Sequence, residues 1–114
     1  MIVRRSGDAS FRELPGRLSA DPFAGVAGAD ASVRLVRLVP GSDRRPHRHP
    51  RSTEVVYVAE GSGRAWQDGE ERPVSAGDVV LVPRGVPHMT VPDGAMLLVC
   101  FFPDPDLATN LEEL

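Results

Sequence analysis

Glycine and proline interrupt the chain between Val33 and Phe102 so often that no amphipathic helix fits between them. What lies between the interruptions is short, apolar and rich in β-branched residues. Val33 to Val39 is one such run, closed by Pro40-Gly41. Glu54 to Ala59 is a second, ended by Gly61. Gly63 to Asp68 is a third, and Asp68-Gly69 has the chemistry of a two-residue hairpin turn into Glu71–Val74. Val79–Val82 precedes Pro83, and Gly85 and Pro87 then turn the chain into a run from His88 to Val91. Ala95 to Phe102 is almost wholly apolar. Strands spaced by turn signals roughly every 8–12 residues indicate an all-β sandwich or barrel. Gly41, Gly61, Gly77 and Gly85 stand where the chain must reverse and a positive φ is expected.

The two ends differ from this middle. Residues 1–31 carry turn signals at Leu14-Pro15-Gly16 and Asp21-Pro22 but little periodicity, which predicts an irregular arm with room for one edge strand. Residues 32–103 form the barrel. In the tail, 104–114, Leu107, Leu111 and Leu114 fall at i, i+4 and i+7, the spacing of a short amphipathic helix packed on the barrel, with a frayed tail as the alternative.

Composition narrows the function. A chain of 114 residues is one domain, large enough for a core without disulfides. Its net charge of −3 gives no basic surface for nucleic acid, and no apolar run approaches a membrane span. Met1 to Ser6 is followed by no apolar segment of the secretory kind, and the single cysteine, Cys100, cannot make an internal disulfide. The expected compartment is therefore the cytoplasm. All 13 basic residues are arginine, which removes lysine Schiff-base chemistry and any lysine general base. Isoleucine and asparagine each occur once (Ile2, Asn110), a composition that points to a GC-rich bacterial genome.

The three histidines are the most informative residues. His47 and His49 are one residue apart, so in a strand both side chains face one side and can reach one point in a barrel. Glu54 opens the next strong strand and His88 opens another. Imidazole and carboxylate suit Fe, Mn, Ni, Zn, Co or Cu. By itself His-x-His is more often a pair of exposed polar residues than a metal site.

The wider frame changes that balance. Gly41, five residues, His47-Arg-His49, four residues, Glu54, six residues and Gly61 form one pattern. Gly77, five residues, Pro83-Arg-Gly85, two residues and His88 form another. In this order the two patterns resemble the two motifs of the cupin superfamily in its small single-domain form. The resemblance covers about Val33 to Phe102 and implies a double-stranded β-helix, the jelly-roll or cupin barrel. It implies that His47, His49, Glu54 and His88 hold one divalent transition-metal ion per chain. The chain departs from the family at Pro92, where the second motif usually has an asparagine that is not a ligand. Three neutral imidazoles and one carboxylate would leave the ion net positive, and an octahedral ion would keep two positions for water, substrate or dioxygen.

Alternation along the strands suggests the cavity walls. From Glu54, Val56 and Val58 face inward and Val55 and Tyr57 outward. From His88, Thr90 faces inward and Met89 and Val91 outward. Trp66 and Gln67 lie on opposite faces, so either could line the cavity, and core packing is the stronger reading of Trp66. Either Cys100 or its neighbours Val99 and Phe101 face the barrel, with Cys100 expected as a small buried hydrophobe. Of Arg34 and Arg37, at most one can reach the cavity as an anion anchor. Arg44, Arg45, Arg48 and Arg51 form a solvated rim that could attract an acidic substrate.

Two functions follow from the resemblance. The first is a metal-dependent enzyme acting on a small molecule. Dioxygenase chemistry is favoured over isomerisation or decarboxylation, because the full three-histidine, one-glutamate set is similar to quercetinase-like and acireductone-dioxygenase-like members. The alternative is a non-catalytic module that binds or senses a small molecule or the metal. Small cupins commonly dimerise, so a homodimer is expected, with residues 1–30 and the Phe101-Phe102 pair suited to its interface.

Overall fold

The computed structural model describes residues 1–41 and 44–114. Among them are eleven strands: β1 (Arg12–Leu14), β2 (Arg17–Ala20), β3 (Ser32–Leu38), β4 (His47–Arg48), β5 (Glu54–Glu60), β6 (Ser62–Gln67), β7 (Glu70–Ser75), β8 (Val79–Val82), β9 (His88–Pro92), β10 (Met96–Phe102) and β11 (Glu112–Glu113). All pair antiparallel, in two sheets of order β1-β2-β3-β10-β5-β8 and β11-β4-β9-β6-β7. The two sheets face each other as a double-stranded β-helix, the all-β jelly roll expected from the strand spacing. No helix among the described residues is long and apolar enough to cross a membrane.

Period-two alternation builds the core. Val36 and Leu38 of β3, Val56 and Val58 of β5, Val82 of β8, and Met96, Leu98, Cys100 and Phe102 of β10 point inward and are buried. Their neighbours Tyr57, Val79, Leu81 and Phe101 point out and are exposed. Truncating a core side chain such as Leu98 to alanine would cost about 2–5 kcal/mol. Turn chemistry sets the register. Asp68 and Gly69 both take positive φ, 45° and 91°, as a two-residue hairpin between β6 and β7 requires.

Both ends differ from expectation. The arm contributes a hairpin, β1–β2, whose second strand extends the larger sheet along β3. Pro15-Gly16 makes this possible, because Gly16 at φ 75° reverses the chain tightly enough for Arg12 to pair with Ser19. The C-terminal helix is absent. Leu107 is buried but Leu114 is 48% exposed, so the three leucines do not share one apolar face. The tail instead crosses the end of the barrel and adds β11 to β4, where its backbone groups find partners.

Candidate metal centre

The histidine cluster sits where the two sheets meet at one end of the barrel. β4 pairs with β9 at a single position, His47 opposite His88. His49 follows two residues on, with its carbonyl accepting from the Gly85 N–H at 2.9 Å. The Pro83–Pro87 turn is thereby tied to the His-x-His segment. Glu54 enters from the other sheet as the first residue of β5. All four side chains are buried.

One potential ligand atom from each of the three histidines lies within 4.8 Å of the others, a cluster that could hold a metal ion. Glu54 Oε1 is 2.8 Å from His88 Nε2 and 3.7 Å from His49 Nε2. The ring of His49 also packs edge-on against Phe102, centroids 4.6 Å apart. Thus the four residues named by the two motifs converge, although they come from three strands and a turn.

Backbone carbonyls set the ring tautomers. His49 Nδ1 donates to the Asn110 carbonyl at 2.8 Å, and His88 Nδ1 donates to the Val86 carbonyl at 2.9 Å. A carbonyl only accepts, so in both rings Nδ1 carries a proton, and in the neutral ring this leaves the Nε2 lone pair for the cluster. The atoms left over are His47 Nδ1, His49 Nε2, His88 Nε2 and Glu54 Oε1. Each is buried with no hydrogen-bond partner among the described residues. Four such atoms converging in one core would be costly if nothing bridged them. The three histidines could hold a divalent ion, and Glu54 Oε1, beside two of them, adds an oxygen to a donor set that fits one.

Protonation states agree with that fit. Burial, with the nearby charges of His88, Arg17 and His49, holds His47 far below its ordinary pKa. Burial also lowers His49, against the opposing pull of Glu54 and Asn110. For Glu54, burial favours the protonated form, but the neighbouring His88 and His49 outweigh it and the pKa falls. Neutral imidazoles and an ionised carboxylate are the forms in which these side chains bind metal.

A cavity of about 50 Å³ opens beside the cluster. Val56 and Thr90 line it, as alternation predicted. Val58 faces inward too, at 1% exposure, but lies deeper in the core and is not among the lining residues. Trp66 is not among them either. Its register partner is Met89, whereas Ala65 and Gln67 pair with Thr90 and His88 and so take the inward face. Met89 and Val91 do reach the cavity. β4 pairs with β9 only at His88, which leaves the rest of that strand's edge open to the mouth.

The arginines divide by role. Arg34 lies inside and Arg37 outside, over the Phe11 ring at 5.1 Å. Arg44 and Arg45 are exposed at the mouth. Arg48 and Arg51 bind the tail instead: Arg48 pairs with Glu112 at 2.9 Å, and Arg51 with Asp104 at 3.1 Å. Three features of the site lay outside the motifs. Arg17 comes from the N-terminal hairpin and pairs with Glu113 at 2.9 Å. Cys100 lies against Glu54, and burial together with that carboxylate pushes its thiol pKa well up. Asn110, fully buried, supplies the carbonyl that orients His49. Its one sequence signal is that it is the chain's sole asparagine.

Fold and site together define a small jelly-roll barrel with a histidine-rich candidate metal centre at one end. The chain belongs to the cupin family, whose Cupin domain model matches residues 34–102. It is 35% identical over 71 residues to Germin-like protein 1-1 of Oryza sativa subsp. japonica, covering 58% of this chain and 33% of that protein. The chain thus spans about a third of the length of the curated relatives it matches. Its fold matches that of an ectoine synthase from P. lautus, with a TM-score of 0.79, 20% identity, and coverage of 100% of this chain and 90% of the other. It also matches a predicted oxalate decarboxylase from Thermotoga maritima, with a TM-score of 0.78, 22% identity, and coverage of 89% and 97%.

Proposed function

We propose that this cupin holds one divalent transition-metal ion through His47, His49, Glu54 and His88 and acts as a metal-dependent enzyme on a small molecule. The observation that carries this reading is the set of four buried and otherwise unpartnered donor atoms, one on each of those residues, with the three histidines clustered closely enough to share an ion. When bound, the ion would supply Lewis-acid chemistry or a binding position for dioxygen or substrate. The chain itself supplies the rest. His49 and His88 are held in the metal-binding tautomer by backbone carbonyls, and Val36, Val56, Leu98 and Phe102 make an apolar wall that excludes water. No lysine is present to act as base.

Dioxygenase-like chemistry is the reaction class proposed, supported by the apolar wall beside an open donor set. The proteins of similar fold carry the names of a synthase and a decarboxylase, and at their low identity they lend this chain a fold and no reaction. The test is to load the protein in turn with Fe(II), Mn(II), Ni(II) and Zn(II) and follow oxygen uptake with enediols, flavonols and 2-oxo acids. Turnover confined to redox-active metals supports the reading. Saturable binding without turnover under every metal favours the non-catalytic module.

The proposed assembly is a homodimer in the cytoplasm. Support for the dimer is the apolar outer face of the larger sheet, where Tyr57, Val79, Leu81 and Phe101 are all more than 40% exposed. Phe102, expected beside Phe101 at an interface, is instead fully buried, because adjacent strand residues face opposite ways. The free, buried thiol of Cys100 is consistent with a reducing compartment.

A further inference from the structure

The cavity wall contains a cation that the metal centre does not use. Arg34 lies on the inner face of β3, and the strand register sets it opposite Cys100, which is itself opposite Val56. The three residues form one row across β3, β10 and β5, and all three line the cavity. The Arg34 side chain is only 3% exposed. Its Nε donates to Asp21 Oδ1 at 2.9 Å, which fixes the plane of the guanidinium. Asp21 is shared, since Arg12 approaches its other oxygen at 3.7 Å. Arg34 Nη2 is buried and has no hydrogen-bond partner among the described residues.

That open donor is chemically significant. A guanidinium cannot escape burial by losing its proton, and a buried charged donor without an acceptor is costly. The other cations around the cavity do not share this state. Arg17 is engaged by Glu113 and by the Pro15 carbonyl, while Arg44 and Arg45 are exposed at the mouth. Arg34 alone among these is buried, oriented by an internal carboxylate and left with a donor to offer.

We propose that the ligand of this cavity is a small organic acid whose carboxylate is received by Arg34 Nη2, with the rest of the molecule turned towards the histidine cluster. The proposal rests on the metal-binding reading above and names the substrate class of that site. A carboxylate is compact and monoanionic and gives the open Nη2 a charged acceptor. A phosphate has more oxygens and charge than one open donor can satisfy. A neutral ligand would leave Arg34 and Arg12 sharing the single carboxylate of Asp21. The cavity volume of about 50 Å³ limits the acid to a few heavy atoms beside an ion, and the methyls of Val36, Val56 and Leu98 suit a short carbon skeleton.

The test is calorimetric titration of the full chain, reconstituted with Zn(II), using glycolate, lactate and pyruvate and the matching amides glycolamide, lactamide and pyruvamide. At least one acid is expected to bind saturably and at least tenfold more tightly than its amide. R34Q should lose at least tenfold in affinity for that acid, with amide binding and zinc content unchanged, and R34K should recover part of the loss. Because R34Q also removes a partner of Asp21 and can destabilise the fold, the acid-over-amide preference of the wild type serves as a second measurement that needs no variant. Equal binding of acid and amide, wild-type affinity in folded R34Q, or no binding of any acid would overturn the proposal. Zinc content measured separately reports on the metal centre: if the wild type takes up no zinc, that reading fails, and the acid-over-amide preference of the metal-free protein still decides the role of Arg34.

Discussion

His49 Nδ1 donates to the backbone carbonyl of Asn110 at 2.8 Å, so a residue of the C-terminal tail orients a ring of the candidate metal centre 61 positions away. The Asn110 side chain fixes that carbonyl from both sides. Its Oδ1 accepts the Arg51 N–H at 2.8 Å, and its Nδ2 donates to Ser52 Oγ at 2.9 Å. N110A keeps the carbonyl but removes both anchors. Metal affinity is therefore expected to fall by about 10–100-fold, the usual cost of losing a partner that orients a ligand. Competition with a chromophoric chelator measures it, and an unchanged affinity would show that the tail does not position His49.

Acid should destabilise the metal-free protein. His47 and His49 are held below their ordinary value of 6.5 chiefly by burial, so below pH 6.5 the unfolded chain takes up protons that the folded chain refuses. Each histidine then removes up to about 1.4 kcal/mol of stability per pH unit as the pH falls towards its folded value. Above pH 6.5 neither contributes a slope. Glu54, also lowered, adds loss in the same direction below its ordinary 4.5. Urea midpoints of chelator-treated protein should drop steeply from pH 7 to pH 5 and much less in H47N/H49N. A flat wild-type profile would contradict the burial argument.

The barrel and the cluster were legible because each rests on a local rule. Alternation from Glu54 placed Val56 and Val58 inside and Tyr57 outside, and glycine spacing located the turns at Gly41, Gly61, Gly77 and Gly85, all of which take positive φ. The ends were not legible, because their partners are distant in sequence. Nothing near Arg17 announces Glu113, and the leucine spacing of the tail fits a helix just as well when only Leu107 is buried. Trp66 shows the limit of alternation. Its parity on β6 needs a register with β9, which follows from the pairing of Gln67 with His88.

Gly61 should resist substitution more than a glycine that merely has positive φ. Its φ is 87°, and a Cβ there would run into the carbonyl oxygen of Ala95 and press on Met96. Gly25, at φ 76°, has nothing within 4 Å of its Cβ position. G25A therefore carries strain alone, about 1 kcal/mol, whereas G61A adds a clash with the Ala95 carbonyl and the buried Met96 and should cost about 2–4 kcal/mol. Chemical denaturation of the two variants isolates the clash as their difference. Equal losses would mean that β10 can move away from the β5–β6 turn.

The outer face of the larger sheet should carry the dimer contact. Register sets Tyr57 opposite Val79 and Val99, and Val55 opposite Leu81 and Phe101, so these side chains form one continuous apolar surface across β10, β5 and β8. Val79 and Leu81 are 64% and 62% exposed, and an apolar area of this kind on a sheet face is unusual for a monomer. A two-fold contact would bury each copy's patch against its twin. Light scattering coupled to gel filtration should give twice the chain mass at micromolar concentration. L81E and Y57E should each shift the protein to monomer with metal content unchanged, because both side chains point away from the cavity. A wild-type monomer, or dimers that survive both substitutions, would place any self-contact elsewhere on the barrel.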